Sequence, residues 1–182
     1  MTITTKHLLL VLQVLSWIIF IGVSIEAGGF LFNTIYTFFI PEMEARFYWS
    51  HIDLSALFRF DRGYFLVITG LMSIVAVLKA TLFYTILKML HEQKLDLQQP
   101  FTPKIGKLIF GMSYLALGIG LFAHWGERYT TWLIGRGIQM PELHHLRLAG
   151  ADVWLFMGVV LFVIALIFKR GIELQTDSEL TV

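Results

Sequence analysis

Charged side chains within apolar stretches are the first candidates for chemistry in this sequence. Glu26 follows the apolar run that begins at His7, nineteen residues earlier. Since a helix rises about 1.5 Å per residue, Glu26 would lie about 28 Å along a first membrane helix, near one membrane surface. A carboxylate near lipid is costly and usually has a reason. Two interpretations stay open: a helix-end carboxylate that reaches water or a loop arginine, and a ligand or proton site beneath the loops.

Lys79 is the second charge of this kind, seventeen residues after Arg62. The same rise places it about 25 Å from the membrane surface at which Arg62 lies, so its ammonium is expected to extend towards the opposite surface. A direct ion pair with Glu26 is not expected, because the two depths would differ by roughly two-thirds of the bilayer. The ligand-binding candidates are Glu26, Arg62, Lys79, Trp125 and Glu127.

Imidazole and carboxylate side chains recur between residues 124 and 145. His124 and Glu127 are three residues apart and would share a helix face, and His144 and His145 follow in the same polar stretch. These groups could bind zinc or another divalent ion, so His124, His144 and His145 are metal-ligand candidates. The compact spacing His-Glu-x-x-His does not occur, and the alternative is a set of ordinary polar residues at a membrane interface. No cofactor is expected.

Aromatic side chains cluster in the two long polar stretches, at Phe47, Tyr48, Trp49, Trp125, Tyr129 and Trp132. Such residues are typical of the belt that membrane proteins place at the level of the lipid head groups. The alternative is an aromatic-walled pocket between the two stretches that takes a lipid or a small amphiphile.

The elements that must position these residues are membrane helices. Of the 182 residues, 57% are hydrophobic and 15% are charged, and the mean hydropathy is +0.72, which is typical of a membrane protein. Four apolar runs are long enough to cross about 30 Å of hydrocarbon. The prediction is an all-α polytopic membrane protein whose single integral domain covers residues 1–182. Its spans are about 7–25, 64–87, 105–123 and 152–168, its loops are 26–63 and 124–151, and its tail is 169–182.

Local signals add detail to the first and third spans. Gly28-Gly29 predicts a kink, after which a second apolar piece leaves the membrane or lies along its surface until Pro41 stops it. Pro100-Phe101-Thr102-Pro103 predicts a turn in which Thr102 caps the third span and Pro103 occupies its first position. The glycines of the third span predict close helix packing. They are Gly106, Gly111, Gly118 and Gly120.

The distribution of charge predicts the orientation and excludes some partners. The lysines of the N-terminus, the middle loop and the tail lie in short segments beside the span ends. By the positive-inside rule, both termini and the middle loop are cytoplasmic, and both long loops are extracytoplasmic. A net charge of +1 gives no reason to expect direct nucleic-acid binding. The sequence has no cysteine, which excludes disulfides, thiolate catalysis and cysteine-bound metal clusters.

The tail and the middle turn carry a resemblance to a known family. The tail contains Phe168-Lys169-Arg170-Gly171-Ile172-Glu173-Leu174 and ends in Glu179-Leu180-Thr181-Val182, and Pro100-Phe101-Thr102 precedes the third span. These segments resemble a family of four-helix bacterial membrane proteins, catalogued as a domain of unknown function, which shares a Pro-Phe-Ser/Thr turn and an acidic tail ending in Leu-Thr-Val. The resemblance implies a multi-pass inner-membrane protein. Family members are often encoded beside an Xre-type helix-turn-helix regulator, and no catalytic residues carry over.

The favoured function is that of a non-enzymatic sensor or regulatory partner of such a cytoplasmic transcription factor. Candidates for docking this partner are Leu174, Asp177, Glu179 and Leu180, and the other expected partners are the lipid bilayer and a second copy of the chain. The alternative is a small transporter, or a lipid- or amphiphile-binding membrane protein that uses the cap formed by the outer loops. A transporter needs polar residues along its interior, and the third and fourth spans contain almost none. No enzymatic activity is expected.

Overall fold

The computed structural model describes residues 5–39, 48–92 and 102–180, and these ranges are mainly helical. The helices are α1 (Thr5–Phe39), α2 (Ser55–Phe60), α3 (Arg62–Glu92), α4 (Pro103–Gly135) and α5 (Ala151–Leu180), with one 3₁₀ turn at Trp49–His51. Within the described ranges, four of them, α1, α3, α4 and α5, are long and apolar enough to cross a membrane. The prediction of an all-α, multi-pass membrane protein is confirmed at this level.

The spanning helices are longer than the predicted spans. They contain 30 to 35 residues. At about 1.5 Å per residue such helices measure roughly 45–52 Å, which is longer than the roughly 30 Å of hydrocarbon that a spanning helix has to cross.

The predicted kink at Gly28-Gly29 is wrong, because α1 continues as one helix from Thr5 to Phe39. Gly29 has another use. The ring of Trp49 lies so close to its backbone that a side chain at position 29 would overlap the ring. Gly29 therefore admits a close approach of the following segment instead of bending the helix. The predicted stop at Pro41 lies outside the described residues.

The predicted cap of the third span is confirmed. Thr102 has extended backbone angles, and its hydroxyl oxygen accepts a hydrogen bond from the Ile105 N–H at 3.4 Å. Pro103 occupies the first turn of α4, where its missing N–H leaves no hydrogen bond unmade. The preceding part of the predicted turn, through Phe101, lies outside the described residues.

Consecutive spanning helices pack against each other in an antiparallel row. On α1 and α3, Phe20 lies against Tyr84, and Gln13 Nε2 is 3.2 Å from His91 Nδ1. Tyr64 then joins α3 to Tyr129 and Trp132 of α4, and Phe110 joins α4 to Phe162 of α5. In the most apolar window of each helix, 44% of residues are buried in α3 and α4, against 6% in α1 and 17% in α5. The central pair is therefore α3 and α4, and the two end helices offer most of their surface to lipid.

The contact between α4 and α5 depends on two glycines, one in each helix, and each glycine lies against a leucine of the other helix. A methyl group added at Gly120 would lie 2.7 Å from Leu155 Cγ, and one added at Gly158 would lie 2.7 Å from Leu117 Cγ. In both cases the partner's backbone nitrogen would be only 2.9 Å away, so the two helix backbones are in close approach. The predicted role of small residues is confirmed at Gly120, whereas Gly111 has open space around it.

The same contact shows that α4 and α5 are offset along their axes. Gly120 lies level with Leu155, and α4 continues fifteen residues further to Gly135, whereas α5 begins only four residues away at Ala151. From the rise per residue, α4 extends about 16 Å beyond the start of α5. We call this the loop end of the molecule, because it holds residues 48–61 and 136–150, and the opposite end the tail end.

The glycine contacts yield a prediction about stability. We expect Gly120→Ala and Gly158→Ala each to lower the free energy of unfolding by about 1–3 kcal/mol, because the added methyl overpacks a contact between backbones. Thermal unfolding of the detergent-purified protein, followed by tryptophan fluorescence, measures the effect. Gly111→Ala is the matched control in the same helix and should be neutral or stabilising by up to about 1 kcal/mol, since alanine favours helix. Equal destabilisation by all three changes would contradict the contact.

Candidate functional site

The segment between α4 and α5 begins with a helix cap. The Ile138 N–H donates to the Leu133 carbonyl at 3.3 Å, and the Gly137 N–H donates to the Ile134 carbonyl at 2.9 Å. Gly137 has a φ of +82°. This is the Schellman arrangement, in which a glycine in the left-handed conformation ends a helix. Leu133 and Ile138 are buried and supply the apolar contact that accompanies it.

A turn with the same pair of hydrogen bonds lies ten residues later, with an arginine in the glycine position, although no helix directly precedes it in the described part of the chain. The Leu148 N–H donates to the Leu143 carbonyl at 3.2 Å, and the Arg147 N–H donates to the His144 carbonyl at 3.1 Å. Arg147 has a φ of +59°, which costs a residue with a side chain roughly 1–2 kcal/mol. Its side chain must therefore contribute enough to hold this conformation in place.

The segment folds back along the helices instead of extending away from them. Leu146 and Leu148 are fully buried, and Leu148 packs over the backbone of Gly126 in α4. Because these leucines flank Arg147 on both sides, the arginine is held against the neighbouring helices α1 and α3.

Arg147 gathers charged and aromatic side chains from three helices. Its Nε donates to Glu26 Oε1 of α1 at 2.6 Å, and its carbonyl oxygen accepts a hydrogen bond from Lys79 Nζ of α3 at 3.3 Å. The Lys79 ammonium also lies 5.7 Å from the centre of the Trp154 ring on α5. We call Glu26, Lys79, Arg147 and Trp154 the Arg147 cluster.

The cluster corrects the predicted depths of Glu26 and Lys79. The α1–α3 contacts of Gln13 with His91 and of Phe20 with Tyr84 share one offset, which puts Glu26 level with Leu78, the neighbour of Lys79. The prediction that Lys79 extends to the opposite surface is wrong, because α1 does not end at residue 25 and Glu26 lies well inside it. The interpretation that Glu26 reaches a loop arginine is confirmed, and its role as a ligand site stays a prediction.

The Arg147 cluster has more positive than negative charge. It contains two cations and one carboxylate, and Lys79 forms no ion pair with any carboxylate in the described part of the chain. The Glu26 side chain is 21% exposed and the Arg147 side chain 50% exposed. The glutamate is therefore largely enclosed, whereas part of the guanidinium is open to its surroundings.

A small cavity of about 140 Å³ adjoins the guanidinium, and we call it the Arg147 cavity. Its walls combine charged, imidazole and apolar side chains, namely Glu26, Phe30, Trp49, Ser50, Ile52, His144, His145 and Arg147. A second cavity of about 390 Å³ shares three of these residues and opens between residues 50–56 and 139–145. The two loop segments thus enclose a cleft directly above Arg147.

Tyr48 anchors the first of these loop segments. Its hydroxyl lies 3.0 Å from the Phe30 carbonyl oxygen and 2.8 Å from the Thr34 hydroxyl, and its ring packs on Phe30 and Phe65. The side chain is fully buried, and this burial raises the pKa of Tyr48 to about 12, although the hydrogen bond with Thr34 opposes the shift. The predicted aromatic patch thus supplies a buried anchor as well as interfacial rings.

A groove on the loop-end part of α3 and α4 contains other predicted residues. It has a volume of about 550 Å³ and is lined by Val67, Leu71, His124, Trp125, Arg128, Tyr129 and Trp132; we call it the aromatic groove. Glu127 lines an adjoining cavity with His124 and Arg128. Arg62 instead places its guanidinium over the Phe58 ring at 5.3 Å. The five ligand candidates are therefore divided among the Arg147 cluster, the aromatic groove, the cavity next to that groove and the start of α3.

The metal-ligand candidates lie in two separate places. His144 and His145 line the Arg147 cavity, with their rings perpendicular at 6.1 Å, whereas His124 lies in the aromatic groove. In residues 5–39, 48–92 and 102–180, no three His, Asp or Glu side chains are grouped so that they could hold a metal ion.

The docking candidates lie on the last turns of α5, which runs on through the predicted tail to Leu180. Leu174 is 56% exposed, and Arg170 pairs with Glu173 at 3.0 Å. The side chains of Asp177, Glu179 and Leu180 lie outside those that the structure describes.

Comparisons with protein families, curated proteins and solved structures find no match to this chain. The chemistry of the site therefore follows from its own side chains. Sequence reasoning assigns no site role to Arg147, although one signal was present, since an arginine stands between two leucines in Leu146-Arg147-Leu148. The left-handed backbone that makes the residue unusual cannot be inferred from that pattern.

Tyr48 generates a prediction about pH. Because its pKa is raised, the unfolded chain loses the phenol proton first, so the stability due to this group falls as the pH rises from about 10 to about 12. Ultraviolet titration of tyrosinate should show an ionisation step near pH 12, and Tyr48→Phe should remove that step. Tyr84→Phe, on an exposed face of α3, should retain it. A late step that survives in Tyr48→Phe would contradict the assignment.

Arg147 generates a prediction from its backbone. We expect Arg147→Ala to destabilise the protein, because it loses the Glu26 contact and keeps the left-handed strain. Arg147→Gly loses the same contact but relieves the strain, so it should be more stable than Arg147→Ala by about 1 kcal/mol. Thermal unfolding in detergent compares the pair. If Arg147→Gly were less stable than Arg147→Ala, the left-handed conformation would not be a source of strain at this position.

Proposed function

We propose that this chain is a non-enzymatic sensor in the inner membrane of a bacterium and that it acts with a cytoplasmic helix-turn-helix transcription factor. The observation that carries the proposal is the Arg147 cluster, in which one loop residue contacts α1 and α3 directly and lies beside α5 through Lys79 and Trp154. A signal that alters Arg147 at the loop end would change the packing of these helices. The resemblance of the tail to a family encoded beside such regulators supports the identity of the partner.

The packing of the row supports movement of its end helices. The windows of α1 and α5 bury 6% and 17% of their residues, so displacing either helix breaks fewer contacts than displacing α3 or α4. Both end helices are tied to the loop end through the Arg147 cluster. In this proposal, release of that tie shifts α1 or α5, and the shift is transmitted to the tail end.

The proposed orientation places the loop end outside the cell and both termini in the cytoplasm. Lys88, Lys104, Lys107, Lys169 and Arg170 lie in the parts of α3, α4 and α5 nearest the tail end. The loop end has five arginines of its own, so the two ends do not differ in total positive charge; they are Arg59, Arg62, Arg128, Arg136 and Arg147. The proposed orientation rests on the placement of the tail-end cations in short segments beside the apolar spans, where the positive-inside rule applies. The last turns of α5 would then face cytoplasmic proteins.

The aromatic groove favours a second candidate function, the binding of a lipid or small amphiphile. The exposed Trp125 and Trp132 offer apolar surface, and Arg128 offers a cation in the same groove. Aromatic rings next to a cation suit a molecule with an apolar chain and an anionic head. This function would use the outer part of α3 and α4 and would not need the Arg147 cluster.

The proposed partnership is tested by capture of the purified regulator encoded beside the gene on the detergent-solubilised chain. We expect the full-length chain and Thr176→Ala to capture it equally. A chain truncated after Arg170 should capture none, and Leu174→Ser should weaken the affinity about tenfold, because it removes an exposed apolar contact. Capture by the truncated chain at full strength would remove the tail from the interface, and no capture by any form would overturn the regulatory proposal.

A further inference from the structure

We infer that the Arg147 cluster and its cavity form a binding site for a phosphate group, presented either by a lipid head group or by a free phosphate ion. The inference deepens the proposed function, on which it rests for its physiological meaning, because it names the chemical class of the signal received at the loop end. Binding itself can be measured without the transcription factor.

The first argument is the excess of positive charge. Glu26 is the single carboxylate of the cluster and stands beside two cations, and one of its two oxygens accepts a hydrogen bond from Arg147 Nε at 2.6 Å. Lys79 is half-buried and contacts a neutral carbonyl oxygen and the Trp154 ring. A partly buried cation that has no carboxylate in direct contact is unfavourable. Lys79 does not line the Arg147 cavity, so an anion bound there would stabilise its charge at longer range and not by direct contact.

The second argument is the set of hydrogen-bond donors that remain. A guanidinium has five N–H donors, and the Glu26 contact occupies the one on Nε. Arg147 lines the cavity and is half exposed, so its other donors are available there. Planar guanidinium donors match the oxygens of phosphate, and the rings of His144 and His145 lie in the same wall.

The third argument is the size and character of the cavity. Its volume of about 140 Å³ corresponds to roughly four or five water molecules, which suits one phosphate group and not a whole lipid. Phe30, Trp49 and Ile52 make much of its wall apolar, and such surroundings strengthen the attraction between a cation and an anion. A lipid would therefore place its head group here and keep its chains outside.

The fourth argument is the conformation of Arg147. The equivalent position of the preceding cap holds Gly137, which takes a positive φ without steric cost. At position 147 an arginine takes a φ of +59° with its carbonyl towards Lys79 and its side chain towards Glu26. Strain of this kind is concentrated where a side chain has a functional task.

The test measures binding to the full-length protein in a nonionic detergent. Inorganic phosphate is titrated by calorimetry, which reports the free ion. In a separate arm, native mass spectrometry compares retention of phosphatidic acid with that of phosphatidylcholine, whose phosphate carries no net charge with its choline. Binding in the first arm identifies a free phosphate, and selective retention in the second identifies a lipid head group.

Three substitutions test whether each charge strengthens or weakens phosphate binding. Arg147→Gln should abolish binding, and Lys79→Gln should weaken it several-fold, because each removes positive charge. Glu26→Gln should tighten binding several-fold, because it removes the competing carboxylate and frees a donor of Arg147. If the three residues only maintained the fold of the site, all three variants would lose binding. Lys107→Gln, an exposed lysine near the tail end, is the control and should change nothing.

Variants that keep the positive charge serve as a control for misfolding. If Lys79→Gln or Arg147→Gln fails to fold, Lys79→Arg and Arg147→Lys replace them, and both should retain phosphate binding within about tenfold. Weaker binding by Glu26→Gln, unchanged binding by the charge-removing variants, or no binding in either arm would overturn the inference. Binding with these signs but without capture of a regulator would overturn the proposed function alone.

Discussion

The contact between Arg147 and Glu26 is the interaction on which the loop end depends. A backbone segment that folds back beside apolar helices must satisfy its own polar groups, because lipid offers no partners. Residues 136–150 do so with one helix cap and one turn, and the turn has Arg147 in a left-handed conformation. Its guanidinium then holds α1, and its carbonyl holds α3. Arg147 thus ends a turn, forms an ion pair with α1 and accepts a hydrogen bond from α3.

The remaining structure divides into a tightly packed part and a lightly packed part. The facing pairs Gly120–Leu155 and Gly158–Leu117 bring the backbones of α4 and α5 close together, so these helices are constrained near their crossing. In contrast, α1 packs mainly on α3, and its apolar window is almost entirely exposed. The Arg147 cluster spans both parts. A change in the charge of this cluster would therefore displace α1 more readily than α4 or α5.

Much of the fold was predictable from local pattern, whereas the site was not. The four apolar runs and the Thr102 cap are properties of short sequence windows, and both are found in the described residues. The predicted difference in depth between Glu26 and Lys79 was wrong, because only the packing of α1 on α3 shows which residues of the two helices lie level with each other. The role of Arg147 depends on a tertiary contact across 121 residues and on a backbone angle, and neither leaves a periodic signal in the sequence.

The offset between α4 and α5 has a consequence for the surrounding lipid. Because α5 begins about 16 Å below the end of α4, the two helices end at different heights on the loop-end side. A bilayer adapts to such mismatch by thinning locally or by tilting the protein. Lipids next to Ala151 would meet a step, and above that step lie the exposed rings of Trp125 and Trp132. A bilayer that follows this step would be thinner beside α5 than beside α4, so the packing of the row would respond to lipid chain length.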